Sequence, residues 1–242
     1  MTSAAEDTKP FTLGPGIRRA MPADETPIYK AIFDSVMNQR LTPGTKLPEN
    51  ELCEAFGASR SLVRRVLQKL AHDHIVELRP NRGAIVATPS PEETRQIFEA
   101  RRALEAALVK LAARNATADD YARLRQQLHD EHEAMHRFDQ PSWARLASAF
   151  HLKVAALAKN PILETYLQEI VSRCSLIVAV YQPWGNASCE HDEHASIANC
   201  MESGEVGRAI ELMEQHLLEL ESHISFNRDN DKLSLKDKLG LK

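Results

Sequence analysis

The sequence predicts a mainly α protein: a small N-terminal unit of helices closed by a β-hairpin, followed by an antiparallel six-helix bundle. Three observations carry this reading. Glycine is scarce, at 9 of 242 residues, and aromatics are 5%, both low for a β-rich or doubly wound chain. The good helix formers Ala, Leu, Glu, Arg and Gln dominate the long stretches that follow residue 90. Charge also divides along the chain. Between Thr26 and Thr88 nine Lys/Arg face six Asp/Glu, a net of +3, and from Pro89 to Lys242 eighteen face twenty-four, a net of -6. The first 25 residues carry three against four, which returns the total of -4. A small basic module thus precedes a larger acidic one, and Thr88-Pro89-Ser90-Pro91 marks the join.

The remaining composition is that of an ordinary globular chain, with 43% hydrophobic and 26% charged residues. It excludes wholesale disorder, collagen-like repeats and a disulfide scaffold. The weak acidity argues against a surface coated in positive charge, but leaves room for a local basic module. Cys53, Cys174, Cys189 and Cys200 are scattered with no C-x-x-C, so free thiols in a reducing cytoplasm are expected. No run of about 18 apolar residues predicts a spanning helix, and the N-terminus has no signal-like apolar core. A cytoplasmic protein without a membrane partner is expected.

The elements follow in order. Residues 1–25 are rich in Thr, Ala, Pro and Gly and read as a flexible arm. Ile28, Ile32, Val36 and Met37 predict a first helix over roughly 27–40. Leu41-Thr42-Pro43-Gly44 is a turn. Pro48-Glu49 opens a short helix that ends at Phe56-Gly57, where glycine suits a left-handed cap. Ser59 can cap a third helix, with Leu62, Val63, Val66, Leu67 and Leu70 on its apolar face. Ile75–Leu78 and Ala84–Ala87 are short strands, joined by a tip at Asn81-Arg82-Gly83.

Past the join, Ser90-Pro91-Glu92-Glu93 reads as a capping box with proline in the first turn. Further starts fall at Thr117, Pro141, Pro161, Ser188 or Glu190, and Glu205. Each interval carries apolar residues at i, i+3, i+4 spacing. The expected division is 26–88 for the basic module, 89–228 for the bundle and 229–242 for a flexible tail.

Helix, helix, turn, helix, hairpin is the plan of a winged helix-turn-helix. The major groove admits one α-helix, whose first turn presents side chains to base edges. That turn would carry Ser59, Arg60, Ser61 and Arg64, while Arg65 and Lys69 are available to phosphates. The tip Arg82-Gly83 is short enough to reach an adjacent minor groove.

A family resemblance rests on these residues. The run from Ile28-Tyr29 through Leu41-Thr42-Pro43-Gly44, Leu47-Pro48-Glu49, Phe56-Gly57-Ala58-Ser59-Arg60, Val63-Arg64 and Arg79-Pro80-Asn81-Arg82-Gly83 resembles the reader head of GntR-family transcription regulators. The resemblance implies that Ser59, Arg60, Arg64, Arg82 and Gly83 contact operator DNA. Four positions depart from the family pattern: Ser61-Leu62 replaces Thr-Pro, Arg65 replaces Glu, and Asn50 replaces a DNA-contacting Arg. The Arg65 and Asn50 changes bear on which operator is read.

The second module resembles the FCD sensor domain of the FadR subfamily over roughly residues 91–226. Its landmarks are Glu99 to Glu105, Phe150-His151, Lys159 to Leu163, Glu193-His194, Gly204-Glu205 and Met213 to Leu217. The resemblance implies that His151, His194 and His216 converge from three helices on a divalent metal, zinc or nickel. It also implies that Arg101 meets an acidic effector. Imidazole suits such a metal, an open position would admit a carboxylate, and arginine offers a bidentate hold. Metal-binding members place Asp four residues before the Phe-His histidine, and here that residue is Ala147. Without it, water, effector or another side chain completes the shell, or histidine hydrogen bonds hold the ligand with no metal.

A competing motif is His132-Glu133-Ala134-Met135-His136, an H-E-x-x-H on a helix, in which Glu133 could be the base of a metallopeptidase. Its extended form fails, since Asp139 and Ser142 stand where Gly and a third His are needed. No Walker loop, G-x-G-x-x-G or G-x-S-x-G elbow is present. No enzyme is expected, and the resemblance implies a homodimeric regulator, joined through its helical domain, of a palindromic operator in double-stranded DNA. Repression is the expected outcome, controlled by a small organic acid bound in the helical domain.

Overall fold

The structure is a computed structural model and describes residues 25–80, 82–137, 140–181, 187–226, 235, 239 and 240. Residues 1–24 of the arm expected over 1–25, the tip residue Asn81 and most of the expected tail lie outside the described residues. The chain runs α1 (Thr26–Met37), β1 (Lys46–Leu47), α2 (Glu49–Phe56), α3 (Arg60–His72), β2 (Val76–Arg79) and β3 (Gly83–Val86). It continues through α4 (Pro91–Asn115), α5 (Ala118–His136), α6 (Gln140–Leu157), α7 (Pro161–Tyr181), α8 (Ala187–Glu202) and α9 (Val206–Ser222).

The head forms because three amphipathic helices share one apolar centre. Ile28, Ile32 and Val36 of α1, Leu52 of α2 and Val63, Val66, Leu67 and Leu70 of α3 are all buried in it. The first helix stops at Met37, short of the expected end, because Gln39 turns to a left-handed φ of 58°. Gly57 caps α2 at φ 59°, and the Ser59 hydroxyl accepts from the Leu62 N–H to start α3.

The hairpin gains a strand that periodicity could not reveal. Two residues, Lys46 and Leu47, pair antiparallel with β3 to give the order β1-β3-β2. Gly83, at φ 83°, lets that strand pass close by, since a Cβ there would strike the Leu47 carbonyl oxygen.

In the bundle, α4 packs on α6, α7 and α9, α5 on α6 and α8, and α8 on α9. Ser90 caps α4 through its hydroxyl alone, whereas the reciprocal capping box falls at Thr117 and Asp120 on α5. Burial of Leu108, Val109, Phe150, Val154, Leu167, Ile197, Met213 and Leu217 builds the core.

The two modules share apolar contacts despite the prolines between them. The head's cluster continues into Phe98 of α4, Cys174, Ile177 and Val180 of α7, and Leu220 of α9. Two polar ties reinforce this joint: Gln39 Nε2 donates to the Ala179 carbonyl at 2.7 Å, and Ser172 Oγ donates to the Asp73 carbonyl at 3.3 Å. The chain ends differ from expectation in two places. Glu25 is buried and accepts from Arg65 Nε at 2.6 Å, so it belongs to the head. Leu239, placed in the tail, is buried in the head's cluster.

Candidate functional site

Three buried histidines meet inside the bundle. His151 comes from α6, His194 from α8 and His216 from α9, and one ligand atom from each lies within 4.8 Å of the others. Ring centroids are separated by 5.1, 5.2 and 4.7 Å. Phe150 stacks on His194 at 4.2 Å and 18°, which fixes that ring's plane.

Each imidazole is oriented by its own carboxylate. His151 Nδ1 lies 2.6 Å from Glu105, His194 Nδ1 lies 3.0 Å from Glu131, and His216 Nδ1 lies 2.6 Å from Glu193. An ionised carboxylate only accepts, so it places the proton on Nδ1 and leaves Nε2 with its lone pair. The Nε2 atoms of His194 and His216 stand 3.2 Å apart. Two lone pairs at that distance need a cation or a proton between them.

Burial supplies such a proton in the metal-free chain, because it raises Glu131 to about 7 against the opposing pull of His191 and His216. Protonated Glu131 can donate to His194 Nδ1, whose Nε2–H then donates to His216. Burial pushes His194 down to about 3, with Arg101 adding to it, and pushes His216 down to about 4 against its Glu193 hydrogen bond. Burial, then Arg101, holds His151 well below its ordinary range. All three rings therefore stay neutral, the form that ligates metals.

Arg101 closes the site from α4. Its Nε donates to Glu105 at 2.6 Å and its Nη1 to Cys174 Sγ at 3.0 Å, all three groups being buried. The residues present fit a divalent ion. Three Nε2 poles face inward, and with Glu131 ionised, as an ion between the rings would require, three carboxylates against one guanidinium leave about two negative charges when the rings are neutral. That compensation does not need the absent Asp: Ala147 is itself buried, packed with Trp143 and Ala134.

The three glutamates were not singled out in the sequence. Glu105 stands four residues after Arg101, a pairing interval on a helix that could have been read. Glu193 lies in the landmark Glu193-His194 without a role attached to it, and Glu131 adjoins His132 with no distinguishing signal.

The head presents its basic residues on the first turns of α3. Arg60 and Ser61 are exposed, and Ser61 Oγ lies 3.1 Å from Ser59 Oγ. Arg64, 61% exposed, donates through Nε to both Glu49 oxygens at 2.9 Å. Arg65 is tied to Glu25, away from that pair. At the wing, Arg82 is exposed while Gly83 is buried. Gly83 therefore shapes the wing, and Arg79, Pro80 and Arg82 are exposed beside it. Of the H-E-x-x-H residues, His132 and His136 lie edge to face on α5 with ring centroids 4.2 Å apart, and Glu133 is exposed.

Comparison with known proteins decides the family. Residues 25–86 match the model for bacterial regulatory proteins of the gntR family, and residues 96–219 match the FCD domain. The chain belongs to the GntR family and carries an FCD domain. It is similar to the HTH-type transcriptional repressor RspR of Escherichia coli, 30% identical over 131 residues, 54% of this chain and 58% of that protein. The match thus spans little more than half of that relative. The galactonate operon transcriptional repressor of Escherichia coli is 26% identical over 167 residues, 61% of this chain and 71% of its own length. A crystal structure described as a putative transcriptional regulator GntR from Rhodococcus sp. RHA1 shares the fold. Its TM-score is 0.68 at 22% identity, over 83% of this chain and 97% of that one. No helix among the described residues is long and apolar enough to cross a membrane.

Proposed function

We propose that this GntR-family chain is a DNA-binding transcription regulator, acting as a repressor, whose operator affinity is set by a small carboxylate bound in the FCD domain. The single observation that carries the reading is the Arg101–Cys174 bond, because Cys174 also belongs to the apolar cluster on which the head rests. The site's only buried guanidinium among the described residues is thus joined to the helix that holds the head.

In this reading residues 26–88 read DNA and 89–228 sense the effector. Ser59, Arg60, Ser61 and Arg64 approach base edges, and Arg65 and Arg82 serve phosphate or the minor groove. Arg64 leaves Glu49 to do so, a small cost for an exposed pair. Two heads, related by a two-fold axis in a homodimer, meet the half-sites of a palindrome.

In the FCD domain His151, His194 and His216 hold a divalent ion of zinc or nickel type, which supplies a Lewis-acidic pole for a carboxylate. The effector's carboxylate competes with Cys174 for Arg101. Release of Cys174 loosens α7 from the buried charge and changes how α7 seats the head. Such a shift needs an effector affinity that differs between the two head positions. A relative named for a galactonate operon makes sugar acids the first compounds to try. Screening carboxylates for a change in operator affinity by fluorescence anisotropy tests the proposal. Response in wild type but not in His151→Asn supports it, and no response to any carboxylate, with or without metal, refutes it.

A further inference from the structure

A second group of imidazoles lies outside the central triad. His132 and His136 stand one turn apart on α5, with ring centroids 4.2 Å apart. His191 of α8 lies beside His132, with ring centroids 5.0 Å apart. These separations are on the scale of the central triad, whose closest pair is 4.7 Å apart.

The Nδ1 atoms of His132 and His191 are shielded from solvent and have no hydrogen-bond partner among the described residues. A buried, unsatisfied polar atom is uncommon in a folded protein and points to a missing ligand or ion. His136 is exposed, so the group opens to solvent on one side.

We propose that His132, His136 and His191 form a second, outer site for a nitrogen-preferring divalent transition-metal ion, separate from the central triad. The i, i+4 pair on α5 supplies two imidazoles from one helix face, an arrangement that suits zinc. The third ligand crosses from α8 and ties the two helices together. Among the described residues only the central triad already has its ligand atoms mutually within 4.8 Å, so the outer group must rotate a ring to close. Exposed His136 can do this by changing rotamer at small cost.

The electrostatics favour a cation there. Glu131, next to His132 in sequence, binds His194 Nδ1 at 3.0 Å and interacts with His191. One carboxylate therefore stands between the two groups. His191 and His194 are three residues apart on α8, so an ion in the outer site also steadies the helix that supplies an inner ligand.

Metal content of the full-length, tag-free chain tests the site after chelator stripping, dialysis against zinc and elemental analysis. Wild type should bind two ions per chain, and His132→Asn/His136→Asn one. His151→Asn/His216→Asn should retain the outer ion, and the fourfold variant none. Zinc affinity of the outer site should fall at least roughly ten-fold with His136→Asn alone, a surface change that spares the core. Equal zinc content in wild type and His132→Asn/His136→Asn overturns the outer site while leaving the inner one standing. Loss of all zinc from His132→Asn/His136→Asn, with one ion kept by His151→Asn/His216→Asn, supports the outer site and counts against the inner. Circular dichroism of each variant confirms that it is folded.

Discussion

Arg101 Nη1 donates to Cys174 Sγ across 3.0 Å, and Cys174 belongs to the apolar cluster shared by the bundle and the head. The bond connects a buried charge to the surface on which the N-terminal head sits. Cys174→Ala removes the acceptor with little change in volume and should cost about 1–3 kcal/mol of stability, since it leaves a buried N–H unpaired. Operator affinity should persist while its response to effector shrinks. Anisotropy titrations with and without effector check this, and a full response in the variant would remove Cys174 from the path.

The α3 arginines should differ in how they contribute. Arg60→Ala and Arg64→Ala should each weaken operator binding by about 1–3 kcal/mol and relax specificity. Arg65, held by Glu25 on another side of the helix, should contribute less when changed to Ala, and mainly to the salt slope. Titrations at several salt concentrations separate the two kinds of loss.

The glutamates behind the histidines should matter for metal. Glu193→Gln and Glu131→Gln each remove an orienting carboxylate and a negative charge. Zinc affinity should fall about 10–100-fold in each, measured by chelator competition. An unchanged affinity would mean that the rings are held by packing alone.

Acid should destabilise the metal-stripped protein. His194 and His216 sit at about 3 and about 4 when folded, below the ordinary histidine value. The unfolded chain therefore binds more protons below about pH 6.5, and stability falls as pH drops from there toward the folded values. Glu131 opposes this, because its folded value of about 7 favours the folded state as pH falls toward the ordinary carboxyl range. His151 is depressed as well, so three imidazoles outweigh one carboxyl. The melting temperature should be lower near pH 5 than near pH 7.5, and an equal or higher value at the acid end would contradict the buried neutral triad.

Gly83→Ala tests the hairpin. Its φ of 83° and the Leu47 carbonyl leave no room for a Cβ. The protein should lose about 1–3 kcal/mol of stability, read by denaturant unfolding of the full chain.

Much of this was legible in the sequence because helical spacing and caps are local. Ile28, Ile32 and Val36 and the α3 stripe gave the head, and Pro91, Thr117 and Pro161 gave helix starts. Two residues of β1 carry no period, so pairing with β3 alone reveals that strand. The shared core was hidden by Pro89 and Pro91, which mark a turn in the chain and say nothing of what packs across it. His151, His194 and His216 could be named from motif resemblance. Glu105 and Glu193 fall within the landmarks of the resemblance but, like Glu131, carry no role in it, because a glutamate on a polar helix is by default solvated and only tertiary packing buries it. Leu239 likewise looks like frayed tail until the head's cluster receives it.

The most direct test is selection from random DNA by the purified full-length chain, with sequencing of the bound pool. Enrichment of a palindromic site by wild type, lost in Arg60→Ala/Arg64→Ala and released by a carboxylate in wild type but not in His151→Asn, is the expected result. No enriched sequence, or the same enrichment with both arginines removed, would contradict operator reading by α3.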